Sequence, residues 1–112
     1  MADDGLATLS ATEVVAEMAR GAVSAEEYMR ACLDRIAANE DRVRAFAHLD
    51  PEHALAQARK SDEWRQTGRM LGPLHGVPVA IKDIIDTDDY PTECGSPLLA
   101  GRTPDRDATV VS

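Results

Sequence analysis

Apolar positions in the first half of the chain recur at the three- and four-residue spacing of amphipathic helices. Two capping boxes mark helix starts, because Ser10 is followed three residues later by Glu13, and Ser24 likewise by Glu27. In a capping box the serine accepts from one backbone N–H and the glutamate accepts from another. Gly21 lies where the first of these helices should end, because glycine readily adopts the left-handed conformation that closes a helix.

The second helix is predicted to run to about Asn39, because its apolar residues form one continuous stripe: Tyr28, Met29, Cys32, Leu33 and Ile36. Residues 46–49 form an apolar run that predicts a short strand. A third helix is expected to open at Asp50 and Pro51, where an N-cap aspartate precedes a first-turn proline, and to stop near Gly68.

The composition changes near residue 70, where prolines, glycines and short apolar runs replace the helical pattern. The apolar run at residues 77–81 predicts a core strand that ends at Lys82. Because side chains alternate along a strand, Asp83 is expected on the face opposite to Lys82. The pattern therefore divides the chain into a helical segment, residues 1–70, and the beginning of an α/β core, residues 71–112.

The last residues indicate a chain that continues. Asp107 is a good helix N-cap, and residues 108–112 are typical of little more than the first turn of a helix, with no stop signal after them. At 112 residues the chain is also short for a two-sided α/β enzyme. We therefore expect a truncated domain.

The formal net charge of −8 is spread evenly, with ten acidic residues before Pro51 and ten after it. A chain without a basic stripe is not expected to bind nucleic acid or an anionic membrane. The acidic N-terminus is unlike a secretory signal, and no segment is long and apolar enough to span a membrane, so the cytoplasm is the expected compartment. Cys32 and Cys94 are interpreted as reduced thiols.

Lys82 is the main candidate for chemistry, because it closes an apolar run in a chain with ten arginines and only two lysines. A lysine held against an apolar surface can lose its proton near neutral pH and act as a base. The alternative is an ammonium group that simply reaches water at a strand end. His75 and Cys94 are weaker candidates, because neither has a recognisable catalytic partner. The three histidines lack metal-ligand spacing, so no metal site is expected.

Three segments in this order resemble the amidase signature family: GPLHGVPVAIKD at residues 72–83, PTECGSP at 91–97 and DATVV at 107–111. In that family the lysine of the first segment is the base of a Ser-cisSer-Lys triad, so the resemblance implies this role for Lys82. The family's two serines lie in a later segment rich in glycine and serine, which does not occur before Ser112. The second segment usually flanks the substrate cleft, which makes Gly95 and Ser96 candidate cleft residues.

The resemblance implies an α/β/α fold with a mixed central sheet. The implied reaction is hydrolysis of a small-molecule carboxylic amide to an acid and ammonia or an amine, through an acyl-serine intermediate and without a cofactor. The chain would be the N-terminal part of such an amidase, inactive alone, and its oligomeric state stays open. Two alternatives remain: the glutaminase-type A subunit of a tRNA-dependent amidotransferase, and a non-catalytic remnant or adaptor if the chain truly ends at Ser112.

Overall fold

The computed structural model of the chain describes residues 4–112. Its elements, in order, are α1 (Asp4–Ala7), α2 (Ala11–Ala19), α3 (Ala25–Val43), α4 (Pro51–Gln66) and one turn of 3-10 helix (Pro97–Leu99). The chain divides into two compact units. The helical unit contains the residues up to 45 together with 50–78, and the loop unit contains residues 46–49 and 79–112.

Both predicted capping boxes are present. Ser10 Oγ accepts from the backbone N–H of Glu13 at 3.2 Å, and Glu13 Oε2 accepts from the backbone N–H of Ser10 at 2.7 Å. At α3 the corresponding distances between Ser24 and Glu27 are 3.0 and 2.8 Å. Each box satisfies N–H groups that the first turn of a helix leaves without an intrahelical partner, and so fixes where α2 and α3 begin.

Gly21 ends α2 as predicted. It has a positive φ of 76°, and its N–H donates to the carbonyl of Met18 at 3.1 Å. The N–H of Ala22 donates back to the carbonyl of Glu17 at 2.9 Å. These two bonds are the pair that defines a Schellman motif, in which the left-handed residue is usually glycine.

Helix α3 is longer than predicted, because it continues to Val43 rather than stopping near Asn39. The Asn39 side chain does not end the helix; its Nδ2 donates to the Arg35 carbonyl one turn earlier, at 2.8 Å. The helix ends only where Arg44 takes a left-handed φ of 51°. A side chain that bonds back within the helix leaves the backbone ladder intact, so asparagine is a weak stop signal in a helix interior.

The last long helix, α4, starts as predicted and also holds the N-terminus of α3. Asp50 caps α4 by accepting from the N–H of His53 at 3.1 Å. One turn before the end of α4, the Asp62 carboxylate accepts from the backbone N–H groups of Ala25 at 2.7 Å and Glu26 at 3.0 Å. Because those two donors have no acceptor within α3, Asp62 both completes the cap and joins the two helices.

The core of the helical unit is small and is formed by Val14, Met18, Ala25, Tyr28 and Ala58, with Leu6, Leu9, Val23, Met29, Cys32 and Val77 packed against it. The short helix α1, which the sequence pattern did not predict, contributes through its contact with α3. Cys32 and Cys94 are both free thiols, and burial raises the pKa of the Cys32 thiol. Among residues 4–112, no helix combines the length and the apolar character needed to cross a membrane.

The predicted strands at residues 46–49 and 77–81 are wrong for this chain: residues 4–112 contain no β-strand. The run that precedes Lys82 has an irregular backbone. The side chains of Val79 and Ile81, which belong to this run, are exposed. A strand is defined by hydrogen bonds to a neighbouring strand. Apolar composition can predict such a strand but cannot supply its partner.

The predicted helix at the end of the chain is present only as a turn, in which the N–H of Ser112 donates to the carbonyl of Ala108 at 3.1 Å. Asp107 does not cap this turn. Its Oδ1 accepts instead from the backbone N–H of Asp88, at 2.9 Å and 19 residues away. A long-range acceptor role has therefore replaced the local cap that the sequence favoured.

We predict that Gly76→Ala destabilises the helical unit. Gly76 has a φ of +75°, and an added Cβ would lie 2.5 Å from Met18 Sδ and 3.1 Å from the Cβ of Ala25. The left-handed backbone should cost about 1 kcal/mol for a non-glycine residue, and overpacking the core should add roughly 1–3 kcal/mol. Urea unfolding of the chain measures the change in the free energy of unfolding.

Gly68→Ala is the matched control for this prediction. Gly68 has a similar φ of +73°, but nothing lies within 4 Å of the position that an added Cβ would take. The control variant should therefore lose only the backbone contribution, about 1 kcal/mol. Equal losses in the two variants would show that contact with Met18 is unimportant.

Candidate functional site

Lys82 lies in the loop unit at the start of a turn, where its carbonyl accepts from the N–H of Ile85 at 3.0 Å. Its side chain is exposed, which differs from the buried position expected at the end of a core strand. Within residues 4–112, no side chain or backbone group forms a hydrogen bond or ion pair with its ammonium group. The lysine is thus available for a partner outside the described residues.

Asp83 connects this turn to the segment that contains Gly95 and Ser96. Its carbonyl accepts from the N–H of Cys94 at 2.9 Å, and its Oδ1 accepts from the N–H of Glu93 at 3.0 Å. The neighbour of Lys82 therefore makes two bonds to consecutive residues of the other segment. These bonds bring the Lys82 backbone and the two candidate cleft residues into one hydrogen-bonded network.

The candidate cleft residues lie in a tight turn that runs from Glu93 to Ser96. The N–H of Ser96 donates to the Glu93 carbonyl at 2.9 Å, and both central residues have positive φ, 54° for Cys94 and 65° for Gly95. Positive φ at both central positions is the requirement of a type I′ turn. Ser96 Oγ then accepts from the N–H of Leu98 at 3.3 Å, which caps the 3-10 helix.

The Glu93 carboxylate accepts hydrogen bonds from two other parts of the loop unit. Its Oε1 accepts from Nε2 of His48 at 2.7 Å, and its Oε2 accepts from the backbone N–H of Gly101. The Gly101 N–H and, to a smaller extent, His48 hold the pKa of the Glu93 carboxyl below its usual value, although the nearby Asp83 charge opposes this. Hydrogen bonds to the ionised form are the cause of such a shift.

A second ion pair holds the other side of the loop unit. Arg102 donates to both carboxylate oxygens of Asp86, at 2.9 and 3.1 Å, and this pairing lowers the pKa of the Asp86 carboxyl. The carbonyl of Arg102 accepts from the N–H of the buried Thr92 at 2.8 Å. The segment between Thr92 and Arg102 is therefore a closed loop with the Glu93–Ser96 turn inside it.

Two groups of side chains could in principle hold a cation. His48, Asp83 and Glu93 are partly buried and offer ligand atoms within 4.8 Å of one another, and the same holds for the more exposed Asp88, Asp89 and Asp107. In the first group, however, Glu93 and Asp83 already accept from His48 and from backbone N–H groups. The hydrogen bonds among its members account for the first group without an ion.

Sequence reasoning missed Glu93 and His48. They are 45 residues apart and belong to no shared motif, so no spacing along the chain relates them. The only available signal was the position of Glu93 directly before the Cys94–Gly95 turn. Of the weaker candidates, Cys94 is exposed and has a strained backbone, and His75 is partly buried in the helical unit.

The described chain consists of a helical unit and of a loop unit in which the backbone beside an exposed lysine is linked by hydrogen bonds to a glycine–serine turn. The particular family follows from comparison. The amidase family model matches residues 27–112, and the chain belongs to this family. This result confirms the resemblance seen in the three sequence segments.

The A subunit of glutamyl-tRNA(Gln) amidotransferase from Chloroflexus aurantiacus is 53% identical to the chain over 103 residues, which are 92% of this chain and 21% of that protein. The same subunit from Salinispora arenicola is 52% identical over 106 residues, 95% of this chain and 22% of that protein. The chain thus spans about a fifth of the length of the curated relatives it matches.

Solved structures of similar fold agree. Native peptide amidase from Stenotrophomonas maltophilia matches with a TM-score of 0.88 and 36% identity, over 96% of this chain and 22% of that chain. A chain from a complex described as vestigial, and as revealing the evolutionary origins of an s-triazine catabolic enzyme, matches with a TM-score of 0.86 and 30% identity, over 92% of this chain and 23% of that chain.

We predict that Glu93 makes the stability of the loop unit pH-dependent. Because the folded-state pKa of Glu93 is depressed, its contribution is present above the unfolded-state pKa and is lost as pH falls through the folded-state pKa. The wild-type chain should therefore be more stable than Glu93→Gln at neutral pH, and the difference should shrink on acidification. Chemical unfolding between about pH 7 and pH 3 measures this.

Glu63→Gln serves as the control for this titration, because Glu63 is an exposed residue of α4 in the helical unit. This substitution leaves every hydrogen bond of Glu93 in place. A difference between wild type and Glu93→Gln that stays constant with pH would contradict the assignment of this titration to Glu93.

Proposed function

We propose that the protein carrying this chain hydrolyses a carboxylic amide and that Lys82 is the base of a Ser-cisSer-Lys triad. The observation that carries the proposal is the position of Lys82: it ends the PVAIK segment within the region that matches the amidase family, and it lacks a charge partner in the described chain. A lysine committed to an ion pair would be held in its charged form, which could not accept a proton.

The remaining catalytic groups would come from beyond residue 112. In this mechanism the attacking serine gives its proton to a bridging serine, which passes a proton on to the neutral lysine as the acyl-enzyme forms. The same relay returns that proton to the departing amine or ammonia. No cofactor is needed. The amine or ammonia leaves first. Water then attacks the acyl-serine and releases the product acid.

The proposal also requires that the rest of the protein buries Lys82. A neutral lysine is favoured when the side chain is removed from water. In the described chain, the neighbouring apolar side chains of Val79, Ile81 and Ile84 are exposed, at 69%, 40% and 57%. We infer that other parts of the protein cover this segment, which would bury both the apolar side chains and Lys82.

Gly95 and Ser96 are proposed to border the substrate cleft without taking part in the chemistry. Support comes from their network with Asp83, which follows the proposed base directly in sequence. The turn is closed by the hydrogen bond from the Ser96 N–H to the Glu93 carbonyl, and Gly95 is exposed. A rigid exposed turn is suited to contacting a small-molecule amide, and the division into residues 1–70 and 71–112 would place it in the catalytic core.

We predict that Lys82→Arg abolishes amide turnover by the whole protein. Arginine keeps the positive charge and the length but cannot be neutral at physiological pH, so it cannot act as the base. Lys82→Ala should be equally inactive, with a loss of at least about 10³-fold in kcat, as for other members of catalytic triads. Ammonia release from the amide is the measurement.

Lys60→Arg is the matched control, since Lys60 is the other lysine of residues 1–112 and lies exposed on α4. It should retain full activity, and circular dichroism should show that all three variants are folded. Substantial amidase activity in Lys82→Arg would exclude the assigned role. A wild-type protein with no turnover of any amide would instead favour the non-catalytic remnant.

A second candidate function is hydrolysis of glutamine within an amidotransferase built from several protein chains. The relatives of highest identity cited above, at 52–53%, are named as the A subunit of glutamyl-tRNA(Gln) amidotransferase, whereas the peptide amidase is 36% identical. The proposed chemistry is the same, because the side chain of glutamine is a carboxylic amide. The two candidates differ in the substrate pocket and in the need for protein partners.

We predict that the whole protein prefers glutamine to a C-terminally amidated peptide by at least about tenfold in kcat/KM, a ratio that a pocket built for one amide can supply. Both substrates release ammonia, so one assay measures both reactions under identical conditions. A preference for the amidated peptide would assign the protein to the amidase function instead.

A further inference from the structure

Glu93 lies in a loop, yet both its backbone and its side chain form hydrogen bonds. Its N–H donates to Asp83, its carbonyl accepts from Ser96, and its carboxylate accepts from His48 and from Gly101. Every polar group of the residue is therefore bonded. Because these partners lie in four different parts of the loop unit, the position of Glu93 is fixed from four directions.

The turn that follows Glu93 needs such support. Cys94 takes a φ of 54°, a conformation that a side chain with a Cβ adopts only at a cost of about 1 kcal/mol. Glycine at position 95 adopts its φ of 65° without this penalty. A turn with a strained central residue persists only where surrounding contacts determine it. Here those contacts are the hydrogen bonds of Glu93 and the bond from the Cys94 N–H to the Asp83 carbonyl.

Backbone N–H groups of the turn segment also bond to Asp83, the residue that follows the proposed base. Glu93 bonds to the Asp83 side chain, and Cys94 bonds to the Asp83 carbonyl, one peptide unit after Lys82. The connection from Lys82 through Asp83 to Glu93 and Ser96 is made entirely of backbone and short side-chain bonds within the loop unit. Loss of the Glu93 carboxylate would release the turn from His48 and Gly101 while leaving Lys82 unchanged.

We propose that Glu93 is a positioning residue for the amide-hydrolysis site: it fixes the Cys94–Ser96 turn at the side of the cleft, relative to Lys82, so that the turn can bind the substrate. This inference rests on the proposed function. Glu93 itself does not touch the reacting atoms. It acts through the turn, and its contribution should therefore appear mainly in substrate binding.

The test is steady-state kinetics of the whole protein with Glu93→Ala, which removes the acceptors for both His48 and Gly101. We expect KM to rise about tenfold or more, with a smaller change in kcat and a total loss in kcat/KM on the order of 10²-fold, as for a binding group displaced by about 1 Å. Glu93→Gln keeps an acceptor for the Gly101 N–H and should recover part of this loss.

Three further variants complete the experiment. Glu63→Ala, an exposed glutamate in the helical unit, should leave both kinetic constants unchanged. His48→Ala removes only one of the two carboxylate contacts and should give an intermediate KM. It also preserves the test if Glu93→Ala fails to fold. Lys82→Ala reports on the proposed function separately, because it should eliminate kcat.

The amplitude of the pre-steady-state burst, obtained with an activated ester that acylates the enzyme, counts the active sites. A role in folding alone would lower this amplitude and leave KM unchanged, and this result would overturn the proposal. Wild-type kinetics in Glu93→Ala and His48→Ala, together with an inactive Lys82→Ala, would also overturn it while sparing the proposed function. Full activity of Lys82→Ala would instead reject the proposed function.

Discussion

The structure depends on one constraint: backbone N–H groups that no regular element satisfies must find another acceptor. In this acidic chain, carboxylates accept from many of these donors. Among residues 4–112, the carboxylates that accept from backbone N–H groups include Glu13, Glu27, Asp50, Asp62, Asp83, Glu93 and Asp107. These carboxylates hold helix starts and loops in place, so part of the acidic composition has a structural role.

Hydrogen bonds from backbone N–H groups to carboxylates have different roles in the two units. In the helical unit the carboxylates reinforce elements that apolar packing already determines, as Asp62 does when it caps α3 beside the buried Ala25. In the loop unit there is little buried apolar surface, so the hydrogen bonds made by Asp83 and Glu93 themselves determine the backbone. The geometry around Lys82 therefore depends on a few polar side chains.

Because the chain belongs to the amidase family, the exposed lysine and the glycine–serine turn can be compared with a longer protein. The chain spans about a fifth of its curated relatives, and its proposed base is exposed beside exposed apolar side chains. These features agree with a segment whose covering elements lie elsewhere in the protein. What the loop unit already contains is the relative placement of the lysine backbone and the glycine–serine turn, because short hydrogen bonds fix it locally.

The sequence by itself determined the features that depend on residues within about four positions of one another. The capping boxes at Ser10 and Ser24 and the glycine stop at Gly21 are of this kind. The family was also readable from the sequence, because its motifs are continuous segments of the chain. Tertiary structure decided the rest. Residues 77–81 form no strand because a strand needs a distant partner, and Glu93 meets His48 only because folding brings together residues that are 45 positions apart.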